Sequence, residues 1–503
     1  MSESSSNIEV KTTSIVNHMF FGRRKIFTSE PEITPSNIIK VLQEAMNIHL
    51  QNRREIEVLY DYYKGKQDIL FRTKDVRPEI CNNVVVNIAN QIVTFKVGYQ
   101  CGIPMQYTAA KSTEGLTTKI ETLNNLMGYE NKSKNDQDVI EWNTICGTAY
   151  RCILPDADYN KGEEDEAPFE LTSLRPANTF VIYSNRMGEE PLASVTYWSD
   201  GDFTGEYDNN GVLGEVFAIY TPKWYFEIKS GKIVVERRNN LGMIPIVEYP
   251  ANNARLGAFE VVMSLLDSIS FIESNRIDGL QNFVQAFLKF INCDIDDADI
   301  PKIGELGAVK VFSHEGKNAD VDLVAKELSQ TQTQELVNDL YDRILTICGI
   351  PSQGSGNTSD SSNNGASIVK HGWSGAETRA KQSEVMFESS EREFLKIALK
   401  ILRDKNIVDL KVSDVKMVFP RRNYEDVQSK VQALVQMLDN PKIHPLEAYS
   451  HSGLFTDPEA AYAHGMEWYN EQLDKWDVKD VGDEDKNDVS DSRQGVGEDK
   501  EEP

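Results

Sequence analysis

The residues best able to do chemistry are few, and their spacing does not suit it. GSGNTS at 354–359 is Gly-rich. No strand signal precedes it, and it lacks the Lys that carries charge to a nucleotide phosphate in a P-loop. GWSG at 372–375 places Ser374 between glycines. It is one spacer short of the GxSxG turn that exposes a nucleophilic serine. His314 and Glu315 do not extend to HExxH, and His371, His444, His451 and His464 are scattered. Asp296 and Asp297 read as a charged turn sooner than as a divalent-ion site. The six cysteines, Cys81, Cys101, Cys146, Cys152, Cys293 and Cys348, contain no CxxC and have no histidine cluster nearby. No zinc ligand set forms, and they read as buried, reduced side chains of a cytosolic protein. The sequence therefore assigns no catalytic residue, metal or cofactor, and the expectation is a protein that is not an enzyme.

One stretch stands apart by composition. Residues 352–367 read SQGSGNTSDSSNNGAS, with Asp360 as the single charge. Such a segment has too little apolar surface to bury itself and reads as a flexible connector. Ser352, Gln353, Ser355, Asn357, Thr358, Ser359, Asn363 and Asn364 supply uncharged hydrogen-bonding groups, and Lys370 is the nearest positive charge.

The totals limit the partners. The chain has 503 residues, 40% hydrophobic and 26% charged, and a formal net charge of −26. At about 150 residues per domain this allows roughly three domains, and the composition is globular. So acidic a chain lacks the clustered Lys and Arg that a phosphate-neutralising surface needs. Part of the acid excess sits in 474–503, which reads as a disordered tail. The N-terminus lacks a signal-peptide pattern, and no 18-residue apolar window exists, so no membrane partner is expected.

The elements follow from periodicity. Residues 1–35 read as a flexible arm. A helix is expected from about 35 to 63, capped by Ser36, with Ile38, Ile39, Val41, Leu42, Ala45 and Met46 as its apolar stripe. Further helices are expected over 83–98, ending at Gly98, and over 134–148. AYRCIL, TFVIYS, LASVTYW, EVFAIYT, KWYFEIK and KIVVER alternate like antiparallel strands, broken by DNNGVLG and KSGK. Together, 36–250 look like one α+β domain. A helix over 259–290 would be roughly 50 Å long. Its Phe271, Ile272, Phe283, Phe287 and Phe290 should pack on neighbouring elements. A short strand-like insert, 291–321, leads to a helix over 323–348 that stops at Gly349-Ile350-Pro351. After the polar connector comes a helix over 366–403, with kink points at Gly372 and Gly375. A short strand, KMVFP, and two or three helices to about residue 473 complete the chain.

This order resembles the phage portal family, especially the portals of Gram-positive siphophages. LYDYYKGKQDIL at 59–70, followed by NNVVVNIANQIVTFKVGYQCGIPMQY at 82–107, is similar to the family's N-terminal signature of a Tyr-Tyr-x-Gly segment, a helix and a G-x-P strand. SLRPANTFVIYSNRMGEEPLASVTYW at 173–198 is similar to its strand segment. The resemblance covers roughly 45–475. It implies a multi-domain α+β portal fold assembling as a ring, commonly of twelve subunits, around a channel.

By segment it implies a flexible arm (1–35), a wing (36–255), a stem helix (256–290), a clip (291–321), a second stem helix (322–351), a tunnel loop (352–365), a kinked tunnel helix (366–403), a helical crown (404–473) and an acidic tail (474–503). The loop residues named above, with Lys370, would meet double-stranded DNA weakly and without sequence preference. A plain connector, with Lys370 in a salt bridge, is the alternative. The implied partners are further copies of the chain, terminase, major capsid and scaffolding proteins, and head-completion or adaptor proteins at the clip. Terminase would supply the ATPase, consistent with the missing P-loop. The implied location is the portal vertex of the virion, after synthesis in the host bacterial cytoplasm. Two rival readings are a non-portal capsid adaptor or scaffold and a metal-dependent nucleic-acid enzyme.

Overall fold

The structure is a computed structural model. It describes residues 22–75, 78–110, 115–159, 166–199, 215–284, 287–291, 293–294, 312–313, 320–324, 330–351, 364–420, 427–455 and 458–480. The chain divides into two units, Met1–Arg421 and Arg422–Pro503.

Part of the expected N-terminal arm is built into the fold. Strand β1 (Ile26–Thr28) pairs in parallel with residues 182–184, and Ile26 and Ile33 are buried. Helix α1 (Ile38–Tyr63) buries the expected stripe of Ile38, Val41, Leu42, Ala45 and Met46. Ser36 does not cap it. Asn37 holds the cap position, and its Oδ1 turns back to accept from the Thr34 amide at 2.8 Å.

Helix α2 (Ile88–Cys101) starts later than expected and runs through Gly98. Residues 82–87 stay outside it because the Val84 and Val86 amides donate to Ser274 and Ser270 hydroxyls, at 3.0 and 3.2 Å. Strand β2 (Gln106–Ala109) follows. The helix expected over 134–148 is α4 (Lys132–Cys146), and a further helix that was not expected, α3 (Leu116–Tyr129), precedes it. Asn131, at φ 49°, breaks the helical path between them.

Two sheets form where one was expected. Strands β3 (Thr148–Pro155) and β4 (Phe169–Leu174) belong to a three-stranded sheet. Strands β5 (Thr179–Ser184), β6 (Pro191–Ser199), β7 (Glu215–Tyr220), β8 (Trp224–Lys229) and β9 (Lys232–Arg238) form consecutive antiparallel neighbours, with β1 added beside β5. Strand β10 (Ile246–Pro250) returns to pair with β3. The apolar face of α1 lies on the six-stranded sheet, against Phe180, Val195, Phe217 and Phe226. There His49 stacks on Phe180, with Nε2 3.0 Å from both the Ala177 carbonyl and the Tyr197 hydroxyl. Burial lowers the imidazole pKa to about 3.

The expected helix over 259–290 is shorter. Helix α5 (Met263–Val284) gives way to strand β11 (Phe287–Ile291), followed by β12 (Cys293–Asp294), β13 (Phe312–Ser313) and β14 (Asp320–Val324). FLKFI suits a strand once DVDLV lies antiparallel to it, Phe287 opposite Val324. Helix α6 therefore begins at Gln330, not 323, and ends at Cys348. Phe271 remains 43% exposed within the chain and is covered on one face by the Arg72 guanidinium, 4.8 Å from the ring centroid. Ile272 is half-buried. The side chains of Phe283, Phe287 and Phe290 lie outside the described residues.

Helix α7 (Asn364–Asp404) is followed by β15 (Val415–Val418), which pairs antiparallel with β2. The second unit contains α8 (Val427–Leu438), α9 (Pro445–Ser452) and α10 (Pro458–Asp480). The last helix continues past residue 473 into what reads, by composition, as a disordered tail. The expected mixture of helix and sheet is present.

Candidate channel-facing helix and its anchorage

Two described helices bracket the polar segment, and both are fixed firmly. At the end of α6, Gly349 adopts φ +69°. Its amide donates to the Thr346 carbonyl, and the Ile350 amide donates to the Leu345 carbonyl at 2.8 Å. This is a Schellman closure, which needs a left-handed residue after the helix and favours glycine there. A Cβ at Gly349 would also lie 2.2 Å from Arg379 Cδ. Arg379, on α7, donates to the Ile347 carbonyl. Cys348 and Ile350 are buried with Val262, Leu266 and Ile344. The chain thus reaches residue 351 in a defined place.

Helix α7 takes over at Asn364. Ser352, Gln353, Ser355, Asn357, Thr358, Ser359 and Asn363 lie outside the described residues. Asn364 is the first residue of the helix and not part of a loop. Lys370, Gly372 and Gly375 all lie within α7, whose helical backbone continues through both glycines. A Cβ at Gly375 would meet no atom within 4 Å.

The helix is held at two levels. Near its start, Trp373 packs beside Phe95 and Tyr99 of α2, with centroids 5.9 and 5.6 Å apart, and the Tyr99 hydroxyl donates to Glu377 Oε2 at 2.9 Å. Burial then deepens along Ala376, Ala380, Phe387, Phe394, Leu395, Ala398 and Leu402, which recur at one- and two-turn intervals along one side of the helix. Inside that apolar stripe sits Glu391, fully buried. Its Oε1 lies 2.9 Å from Lys132 Nζ and accepts from the Tyr107 hydroxyl at 2.5 Å. Its Oε2 accepts from Arg151 Nη1 at 2.8 Å and from the Tyr249 hydroxyl at 2.7 Å. Asp136 pairs with both Lys132 and Arg151. The Arg151 guanidinium lies 4.9 Å from the ring centroids of both Tyr249 and Phe394.

Two cations and two anions therefore balance in a site closed to water. Burial pushes the Glu391 pKa up, but the Lys132 and Arg151 charges outweigh it and hold the carboxyl well below the usual range. The cluster joins α7 to α4, β2, β3 and β10, and makes the second half of α7 a fixed spine.

A second arrangement holds α5. Ser270, Ser274 and Asp278 are spaced four apart on one helical face, and all are buried. The two hydroxyls accept from the Val86 and Val84 amides. Asp278 accepts from the Asn82 amide at 2.7 Å and pairs with Lys74. Sequence reasoning missed this stripe and Glu391. The signals were present: small or acidic residues at strict four-residue spacing, and one acid inside an apolar helical face.

Among the described residues, no group of His, Cys, Asp and Glu could hold a metal ion, and no helix is long and apolar enough to cross a membrane. The arrangement offers anchored helices around a polar segment.

The comparisons with known proteins agree with the sequence. The family described as "Phage portal protein, SPP1 Gp6-like" matches residues 42–486. Among solved structures, the chain is similar to one from the neck of an empty gene transfer agent particle, at 12% identity and a TM-score of 0.41, covering 73% of this chain and 90% of that one. It is also similar to one from the virion of a native gene transfer agent particle, at 11% identity and a TM-score of 0.44, covering 80% and 94%. No curated protein matches the sequence. With 42–486 matched, the chain belongs to the phage portal protein family.

Proposed function

We propose that this chain is one subunit of a ring at a single capsid vertex, through which double-stranded DNA is packaged by terminase and later ejected. The observation that carries the reading is the family match over 42–486, nearly the whole chain. In this reading 36–255 form the wing, α5 and α6 the stem, 291–321 the clip, α7 the tunnel helix and 404–473 the crown. Head-completion proteins dock at the clip, and capsid and scaffolding proteins surround the ring.

The charge supports a conduit over a clamp. Each copy contributes −26, so a ring of about twelve is strongly anionic. A basic wall would bind phosphates and release counterions, and would hold DNA in place. An anionic wall with neutral donors lets it slide. Ser352, Gln353, Ser355, Asn357, Thr358, Ser359 and Asn363, with Asn364 and Lys370 at the start of α7, are the proposed weak, sequence-independent contacts. A fixed α7 spine would hold that segment at constant radius. The test is to delete the gene from the producing phage genome and supply the chain in trans. Heads without DNA, filled again on complementation, are expected. DNA-filled heads in its absence would overturn the reading.

A further inference from the structure

The second unit leaves two apolar rows uncovered by the described residues. On α10, Tyr462, Met466, Tyr469 and Leu473 recur at intervals of four, three and four residues, so they share one side of the helix. The first is half-buried, with its ring centroid 5.8 Å from that of Tyr449 on α9 and 6.2 Å from that of His444, which caps α9. Met466, Tyr469 and Leu473 are exposed. The cause is length. Helix α9 has 8 residues and α10 has 23, about 12 and 34 Å, so α10 runs on past the helix that supports its first turns. Helix α8 carries a matching row. Val431, Val435 and Leu438, spaced four and three apart, are exposed, while Leu434 beside them is buried.

Rows of this four-three spacing interlock when two helices cross at roughly 20°. Within the unit they do not need to meet, because α9 packs on both α8 and α10. Charge selects the partner. From 458 to 473, α10 carries Glu459, Glu467 and Glu471 and no Lys or Arg. Helix α8 carries Lys430 and no Asp or Glu. Two α10 helices side by side would set like charges together, which opposes that pairing. An α10 against an α8 meets no such repulsion. Pairing unlike rows is also the contact that continues. Two identical patches close at two copies, whereas two different patches repeat from copy to copy and can close a ring.

We propose that the Met466, Tyr469 and Leu473 row of α10 in one copy packs on the Val431, Val435 and Leu438 row of α8 in the next copy. The inference rests on the ring reading above and names one contact that joins successive subunits. Each copy gives its α10 row to one neighbour and its α8 row to the other, so both rows leave water at every junction.

The test is a short bismaleimide applied to the full-length protein carrying Val435→Cys and Tyr469→Cys, the middle positions of the two rows. Both side chains are exposed, so the substitutions leave the core of the unit intact. The single variants serve as controls for the native thiols, and peptide mapping identifies the linked residues. A ladder of chains joined from position 435 to position 469, absent from both controls, is expected. Linked pairs from Tyr469→Cys alone would show α10 meeting α10 and overturn the proposal. A link between the two positions within one chain, or no product beyond the controls, would also overturn it. Electron microscopy of the same samples separates the two readings. Rings without the ladder would overturn this helix pairing and leave the ring standing, whereas neither rings nor ladder would overturn both.

Discussion

Glu391 and Arg151 are 240 residues apart in sequence, yet their side chains meet at 2.8 Å with neither exposed to solvent. One belongs to the long helix and the other to the central strand of the three-stranded sheet. Their pairing fixes the helix that follows the polar segment, so the stability of the fold and the placement of the proposed channel surface depend on one cluster.

Replacing Glu391 by Gln keeps its shape and removes its charge, leaving Lys132 and Arg151 with Asp136 alone. Breaking a buried pair in this way costs roughly 3–5 kcal/mol. Chemical denaturation of unit 1 should shift by that amount. A shift under about 1 kcal/mol would show that the cluster does not anchor the helix.

Stability should fall on acidification in two stages. His49 has a folded pKa of about 3, below its unfolded value. The unfolded chain therefore binds the proton first, and stability declines as pH drops below about 6.5. Glu391 is also depressed in the folded state. Its contribution is complete above the unfolded carboxyl pKa of about 4.3 and is lost below it. Thermal midpoints from pH 8 to 3 should show a shallow decline and then a steep one. His49→Phe should remove the shallow stage, and its persistence would contradict the assignment.

The Asp278 carboxylate holds Lys74 and Asn82 against α5. Asp278→Ala leaves the Asn82 amide without that acceptor and should cost about 1–3 kcal/mol. Hydrogen exchange over 74–86 should accelerate while 88–101 stays protected. Uniform exchange in both would count against this anchoring.

Burial pushes the thiols of Cys101, Cys146 and Cys152 up to about 12 and that of Cys348 up to about 11. At pH 8 these four should react with maleimide only after unfolding. Cys81 is half-buried and should react first among these five cysteines. Peptide mapping of labelled native protein decides this.

Much of the fold was legible where pairing is local. KWYFEIK, a Ser-Gly turn and KIVVER announce the β8–β9 hairpin, and Ser230 and Gly231 adopt φ of 50° and 72° there. Elements that depend on distant partners were not. FLKFI reads as a helical continuation until DVDLV lies beside it. The three residues of β1 gain their partner only from β5. Glu391 appears in sequence as a charge on an apolar stripe, because Lys132 and Arg151 lie far upstream. The donor-rich composition of 352–363 was visible at once, while the anchors at Gly349, Trp373 and Glu391 needed the fold.

The claim that these subunits close around a channel is tested most directly by electron microscopy of the purified full-length protein. The account predicts end views showing rings of fixed rotational symmetry with an open centre. Monomers alone at every protein and salt concentration, or closed particles without an axial hole, would contradict it.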